Sequence, residues 1–286
     1  MKLIRIHLAI AALGVASVSA ADNSKLEAAA AKGDPESQFL LGRAFFHGEG
    51  EPHDDAKAAE WFRKSAEQGN YKAQNNLGFM YLEGRGVKAD DKEAVKWLRA
   101  AAEQGTVRSQ TALAGLIVNG RGTKKDFAGA EKWYLKAASQ KDPDAEIGLA
   151  NLYYFGLGET KPDFAKAEQW YRKPAERGDA NAQNAMGMIL DRGFSGEKPD
   201  PAAAMTWYLK AAKQGDAKAR SALGRLYYEG RGVKKDDVKA CAWLQLAADD
   251  GEPLATNLLP IVKKSLPHDK QVEANVLSQF YKAGLN

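Results

Sequence analysis

The chain has 286 residues, 27% of them charged and 44% hydrophobic, with a single cysteine and a formal charge of +4. Without Lys2 and Arg5 the 41 basic residues fall to 39 against 37 acidic ones, a balance that gives no electrostatic drive toward nucleic acid. One cysteine excludes an intramolecular disulfide, and His47, His53 and His268 neither cluster with Cys241 nor show ligand spacing, so neither a metal nor a cofactor is expected.

The N-terminus reads as an export signal. Lys2 and Arg5 form a positive start, Leu8 to Val18 an apolar stretch, and Val18-Ser19-Ala20 a small-residue cleavage pattern. The apolar stretch is too short to span a bilayer and no later segment is long enough, so the mature chain is expected to begin near Ala21, without a membrane span, in the periplasm or secreted. Residues 21–33, with Leu26 and the alanines at 28–31, predict a leading half-repeat helix.

From residue 34 the chain is periodic. The six tryptophans, Trp61, Trp97, Trp133, Trp170, Trp207 and Trp243, stand 36, 36, 37, 37 and 36 residues apart, the mark of stacked supersecondary units. Alignment on them gives six units, 34–69, 70–105, 106–141, 142–178, 179–215 and 216–251. Each opens on a helix, here called A, with a buried stripe at i, i+4 and i+8, as in Ala73, Leu77 and Tyr81. Glycine or alanine follows the central Leu or Met (Gly42, Gly78, Ala114, Ala150, Gly187, Gly224), letting a neighbouring helix approach closely. Helix A is expected to stop at Gly48, Gly84, Gly120, Gly156, Gly193 and Gly230. An Asp seven residues before each Trp (Asp54, Asp90, Asp126, Asp163, Asp200, Asp236) can cap a second helix, B, which ends at glycine everywhere except Lys141. The tryptophans are expected to be core, so that Trp→Ala costs roughly 3–5 kcal/mol. Residues 252–286 read as a seventh helix A, with Pro260 in the glycine position, and a closing helix over 271–284.

The pattern Ala-x-x-x-Leu-Gly-x-x-Tyr-x-x-Gly-x-Gly-Val-x-x-Asp-x-x-x-Ala-x-x-Trp, nearly intact at 73–97 and 219–243, resembles the Sel-1-like repeat family, relatives of the tetratricopeptide solenoids. The resemblance covers about residues 25 to 260 and implies an all-α, right-handed superhelical solenoid acting as an adaptor or scaffold. It also implies that the concave wall carries positions two before, two after and five after the motif Leu. Those rows supply the expected partner-binding residues: Arg43, Phe46, Asn75, Phe79, Leu82, Asn151, Tyr154, Asn184, Met188, Arg225 and Tyr228. Apolar contacts interleaved with amides suit an extended peptide, while packing between adjacent A helices accounts for the same rows without a ligand.

Other features admit two readings each. Arg85, Arg121 and Arg231 between paired glycines form a stripe that can meet cell-envelope polysaccharide or simply be a solvated face, the latter favoured. Cys241 aligns with Ala59, Val95, Glu131, Glu168 and Met205, a mixture that predicts partial exposure; a small semi-buried side chain is favoured over an intermolecular disulfide. The 37-residue units, with their altered loops and Pro174 inside helix B, are tolerated drift or a deliberate bend. A cysteine-rich branch of the family is associated with penicillin binding and β-lactam hydrolysis. Here Ser195-Gly196-Glu197-Lys198 is the one Ser-x-x-Lys, with no Ser-Asp-Asn or Lys-Thr-Gly beside it and no paired cysteines. The leading expectation is therefore a non-enzymatic exported scaffold binding a protein or peptide; the alternatives are a β-lactam-binding or hydrolysing relative and a host-contact factor.

Overall fold

The computed structural model describes residues 20–157 and 161–284, with side chains from residue 24 on. The expected signal segment and the loop residues 158–160 lie outside the described residues. Every described element is a helix or a turn. The chain divides into two compact units after residue 125, within the third repeat.

The first unit holds α1 (Ala20–Ala31), α2 (Pro35–His47), α3 (Asp55–Glu67), α4 (Tyr71–Glu83), α5 (Asp91–Glu103) and α6 (Val107–Asn119). The second holds α7 (Phe127–Ser139), α8 (Pro143–Tyr154), α9 (Phe164–Glu176), α10 (Ala180–Arg192), α11 (Pro201–Lys213), α12 (Ala217–Glu229), α13 (Asp237–Asp249), α14 (Pro253–Ser265) and α15 (His268–Lys282). In each unit a helix packs on its sequence neighbours, except that α14 and α15 both pack on α13. Capping sets the boundaries. Each B helix through α13 starts on the predicted Asp, whose carboxylate accepts first-turn amides; Asp54 takes those of Ala56 and Lys57 at 3.0 Å. The A helices α2, α4, α6, α10 and α12 end on a left-handed glycine as expected. Helix α8 stops one residue earlier, with Phe155 as its cap and Gly156 behind it.

The deepest core is one residue past the ladder. Phe62, Leu98, Tyr134, Tyr171, Tyr208 and Leu244 are all buried, whereas among the tryptophans only Trp97 and Trp243 are; Trp61, Trp133, Trp170 and Trp207 are half-buried. This corrects the expectation that the tryptophans themselves are uniformly core. The residue after Trp points at the small position of helix A: a Cβ on Gly42 would lie 2.7 Å from the Phe62 ring, and one on Gly187 2.6 Å from Tyr208. Helix B thus approaches helix A at the residue beside the motif Leu. Three of the half-buried indoles carry a lysine three residues on, with Nζ 4.0 Å from the Trp61 ring and 4.2 Å from Trp133 and Trp207.

The arginine stripe is largely structural. Arg85 clamps Asp55 with two hydrogen bonds (2.9 and 3.2 Å), and Arg121 clamps Asp91 in the same way. The glycine after each lets the loop lie against the preceding B helix, since a Cβ on Gly86 or Gly122 would fall 2.0 Å from the Asp55 or Asp91 carbonyl oxygen. Cys241 is fully buried, not partly exposed, because Leu259 and Val262 of α14 and Ala274 of α15 pack into its cluster; the aligned Ala59 and Val95 are buried too, while Glu131, Glu168 and Met205 are half-buried. Pro174 does not break α9, which keeps the 13 residues of its counterparts, for the proline stands in the last turn.

A buried polar row escaped the sequence reading. Gln38, Gln74 and Gln183 each donate to a carbonyl eight residues back (Ala30, Ala66, Ala175), closing the C-terminal end of the preceding helix. Gln68, Gln104 and Gln214, 30, 30 and 31 residues on, donate to the same side chains. The fourth repeat substitutes Glu146 held by Arg177, and the sixth Arg220 held by Asp250.

Candidate functional site

The expected binding residues fall into two sets, one in each unit. In the first, most are engaged internally. Arg43 pairs with Glu49 at 3.4 Å, and the Phe46 ring carries the Arg85 guanidinium at 4.2 Å. Asn75 accepts from Ser109 (2.9 Å) and donates to Asn76 (3.1 Å). Phe79 is buried with Arg108 stacked over it at 4.1 Å, and Leu82 is half-buried. This face is built from side chains that already satisfy one another.

The second unit leaves more open. Helix spacing puts Asn184, Met188 and Asp191 on one face of α10, and Ser221, Arg225 and Tyr228 on the matching face of α12. Met188 is 36% exposed, and its sulfur receives the Tyr154 hydroxyl (3.8 Å) and the Asn184 amide (3.9 Å). Asn151 is spent on the Tyr171 hydroxyl, which donates to it at 2.6 Å. Tyr154 stands edge-on to Phe155, Phe164 and Tyr171, and Phe164 stacks on Phe194 at 4.6 Å, so the turns after α8 and α10 share one aromatic cluster. Burial holds the Tyr154 phenol above its ordinary pKa, keeping it a donor.

Asp191, 1% exposed, takes Arg225 on one carboxylate oxygen and lies 3.0 Å from Arg231 on the other. Arg231 turns there because Pro201 occupies the place held by Asp55 and Asp91 in earlier repeats. Burial works against the Arg225 charge, but Asp191 and Glu229 outweigh it and hold its pKa above the ordinary guanidinium value. Arg231 and Arg225 also reach Glu229, and the exposed Arg192 stands 3.9 Å from the Asp191 carboxylate. Next to them Arg225, Tyr228 and Glu229 of α12 face Leu254, Asn257, Leu258 and Ile261 of α14 across an open cleft of about 560 Å³. Leu254 and Ile261 are 47% and 57% exposed. Helix α14, expected from the sequence as an end cap, supplies that cleft wall. The signal was present, since Asn257 and Ile261 continue the rows of Asn184 and Met188.

Ser195 and Lys198 lie on the turn after α10, with Lys198 exposed and no hydrogen bond between them. No described helix is long and apolar enough to cross a membrane. Among the described residues, no three His, Cys, Asp or Glu side chains group as metal ligands.

The Sel1 repeat model matches residues 35–70, 72–106, 107–142, 143–179, 180–216 and 217–252, covering every helical hairpin from α2 to α13. The chain belongs to the Sel1 repeat family. Its fold is accordingly the all-α solenoid of that family, whose members are generally non-enzymatic protein-interaction scaffolds. Among solved structures, a Sel1 repeat protein from Oxalobacter formigenes is 34% identical, with a TM-score of 0.68 over 80% of this chain and 93% of that one. A protective antigen present in uropathogenic Escherichia coli strains, which displays an SLR fold, is 30% identical, with a TM-score of 0.56 over 92% of this chain. This Sel1 chain spans 64% of that antigen's length. A comparison with curated proteins finds no match.

Proposed function

We propose that this Sel1 repeat protein is an exported scaffold that holds a polypeptide segment along the A-helix face of its second unit. The observation that carries the reading is the continuity of Tyr154, Met188, Arg225 and Tyr228 with the α12–α14 cleft: exposed apolar surface lies beside charges that are already paired. An apolar surface on which Arg225 and Arg231 are paired with Asp191 and Glu229 favours polypeptide over nucleic acid or acidic polysaccharide. The Lys2 and Arg5 start and the Ala20 cleavage pattern support export. The antigen relative adds a second reading, a factor that contacts a host protein through the same face.

The test uses full-length protein produced in a bacterium. The mature product is expected to begin at Ala21 when its N-terminus is sequenced. Replacing Tyr154, Met188 and Tyr228 together by Ser is expected to abolish capture of the partner from a cell-envelope extract, with helical circular dichroism unchanged. Equal capture by the variant overturns the groove. Phe79 is left intact because it is buried beneath Arg108.

A further inference from the structure

Two polar atoms in the second unit's inner rows are buried without a partner in the protein: Asn184 Oδ1 and Ser221 Oγ. Both side chains are more than nine-tenths buried. Leaving a buried polar atom unpaired forfeits its hydration with nothing in return, so such groups call for an explanation beyond packing. They are neighbours in one row. Asn184, Ser221 and Asn257 each stand two residues before the motif Met186, Leu223 or Leu259, and Cα atoms of α10 and α12, and of α12 and α14, approach within 8 Å. The third member, Asn257, lines the apolar cleft.

Against Asn184 lies Met188. The Asn184 amide donates only to the thioether, at 3.9 Å, and the Tyr154 hydroxyl donates to the same sulfur at 3.8 Å. Sulfur is a weak acceptor on an unbranched, easily rotated side chain. One rotation of Met188, itself 36% exposed, frees a carboxamide with both donor and acceptor and a phenolic donor together. A carboxamide matches one peptide group: its oxygen accepts an N–H and its NH₂ donates to a C=O.

We propose that Met188 is a displaceable lid, and that beneath it Asn184 reads the backbone of an extended, uncharged peptide whose large apolar side chain lies in the α12–α14 cleft. Ser221 takes a further backbone group on the way. The proposal rests on the peptide-groove reading and deepens it. Helix axes about 8–10 Å apart and about 3.3 Å per extended residue place the apolar anchor roughly four residues from the amide that Asn184 bonds. The ligand needs no charge opposite Arg225, Arg231, Asp191 and Glu229, which pair with one another, and the exposed Arg192 beside Asp191 disfavours a cationic one.

The probe is a phage-displayed library of dodecapeptides built from Ala, Gly, Ser, Gln, Pro, Leu and Phe, panned on the full chain; the selected peptide is then synthesised. Asn184→Leu, close in volume and apolar, is expected to weaken its binding about tenfold or more while the melting temperature stays level or rises. N-methylation of one backbone amide, about four residues from the Leu or Phe anchor, is expected to do the same with the unaltered protein. Wild-type affinity in Asn184→Leu, or equal affinity of every N-methylated analogue, overturns the proposal and leaves the groove standing. A fall in melting temperature together with lost binding makes Asn184 structural and also overturns it. If nothing is enriched, or if Tyr228→Ser leaves the selected peptide's affinity unchanged, the groove reading itself fails.

Discussion

Lys141 is the non-glycine residue with positive φ among the described residues, at 65°, where the other repeats end helix B on glycine with φ between 76° and 101°. Left-handed backbone costs an L-residue roughly 1–2 kcal/mol, since Cβ crowds its own carbonyl. Lys141→Gly is therefore expected to raise the stability of the second unit by about 1 kcal/mol, read as a higher denaturant midpoint with an unchanged slope. This site was legible from the aligned sequence as the missing glycine. The unequal depth of the tryptophans was not. It depends on what covers the indole: stacked Tyr281 at 4.2 Å for Trp243, but the flexible Lys136 for Trp133.

At the scale of elements, the helical hairpins are tied by a polar pair 30 or 31 residues apart whose chemistry varies while its geometry persists. The second and fifth repeats use Gln74–Gln104 and Gln183–Gln214; the fourth uses Glu146–Arg177, with the Glu146 carboxylate buried. Removing only the cation strands that carboxylate, so Arg177→Gln is expected to cost about 1.5–3 kcal/mol. The double replacement Glu146→Gln with Arg177→Gln rebuilds the pair of the neighbouring repeats and is expected to recover most of the loss in a chemical-denaturation cycle. Recurrence of Gln one residue after the small position was visible in the sequence. Its meaning was not, because the contact across 30 or 31 residues exists only once helix B has folded back along helix A.

At the scale of the whole molecule, the Sel1 family repeats lean on their neighbours rather than on one central core, so the last structured elements must seal the row. Helices α14 and α15 do this by covering α13, and they bury Cys241 among Leu244, Leu259, Val262 and Ala274. Burial also raises the thiol pKa, reducing the reactive thiolate. Native protein is expected to resist dithionitrobenzoate at pH 8 on a timescale on which the denatured chain reacts at once; immediate native labelling contradicts the seal.

The sequence by itself determined the repeat length, the six units, the capping aspartates and the small residue beside each motif Leu, because each is a local requirement repeated until spacing alone reveals it. The export proposal rests on the sequence alone. The tertiary structure decided which of the aligned positions are free. Asn75 and Asn184 occupy the same place in their repeats, yet Ser109 satisfies one oxygen while the other stays unpaired beneath Met188. That difference arises from side chains brought in by neighbouring helices, a long-range matter on which the periodicity of a single chain is silent.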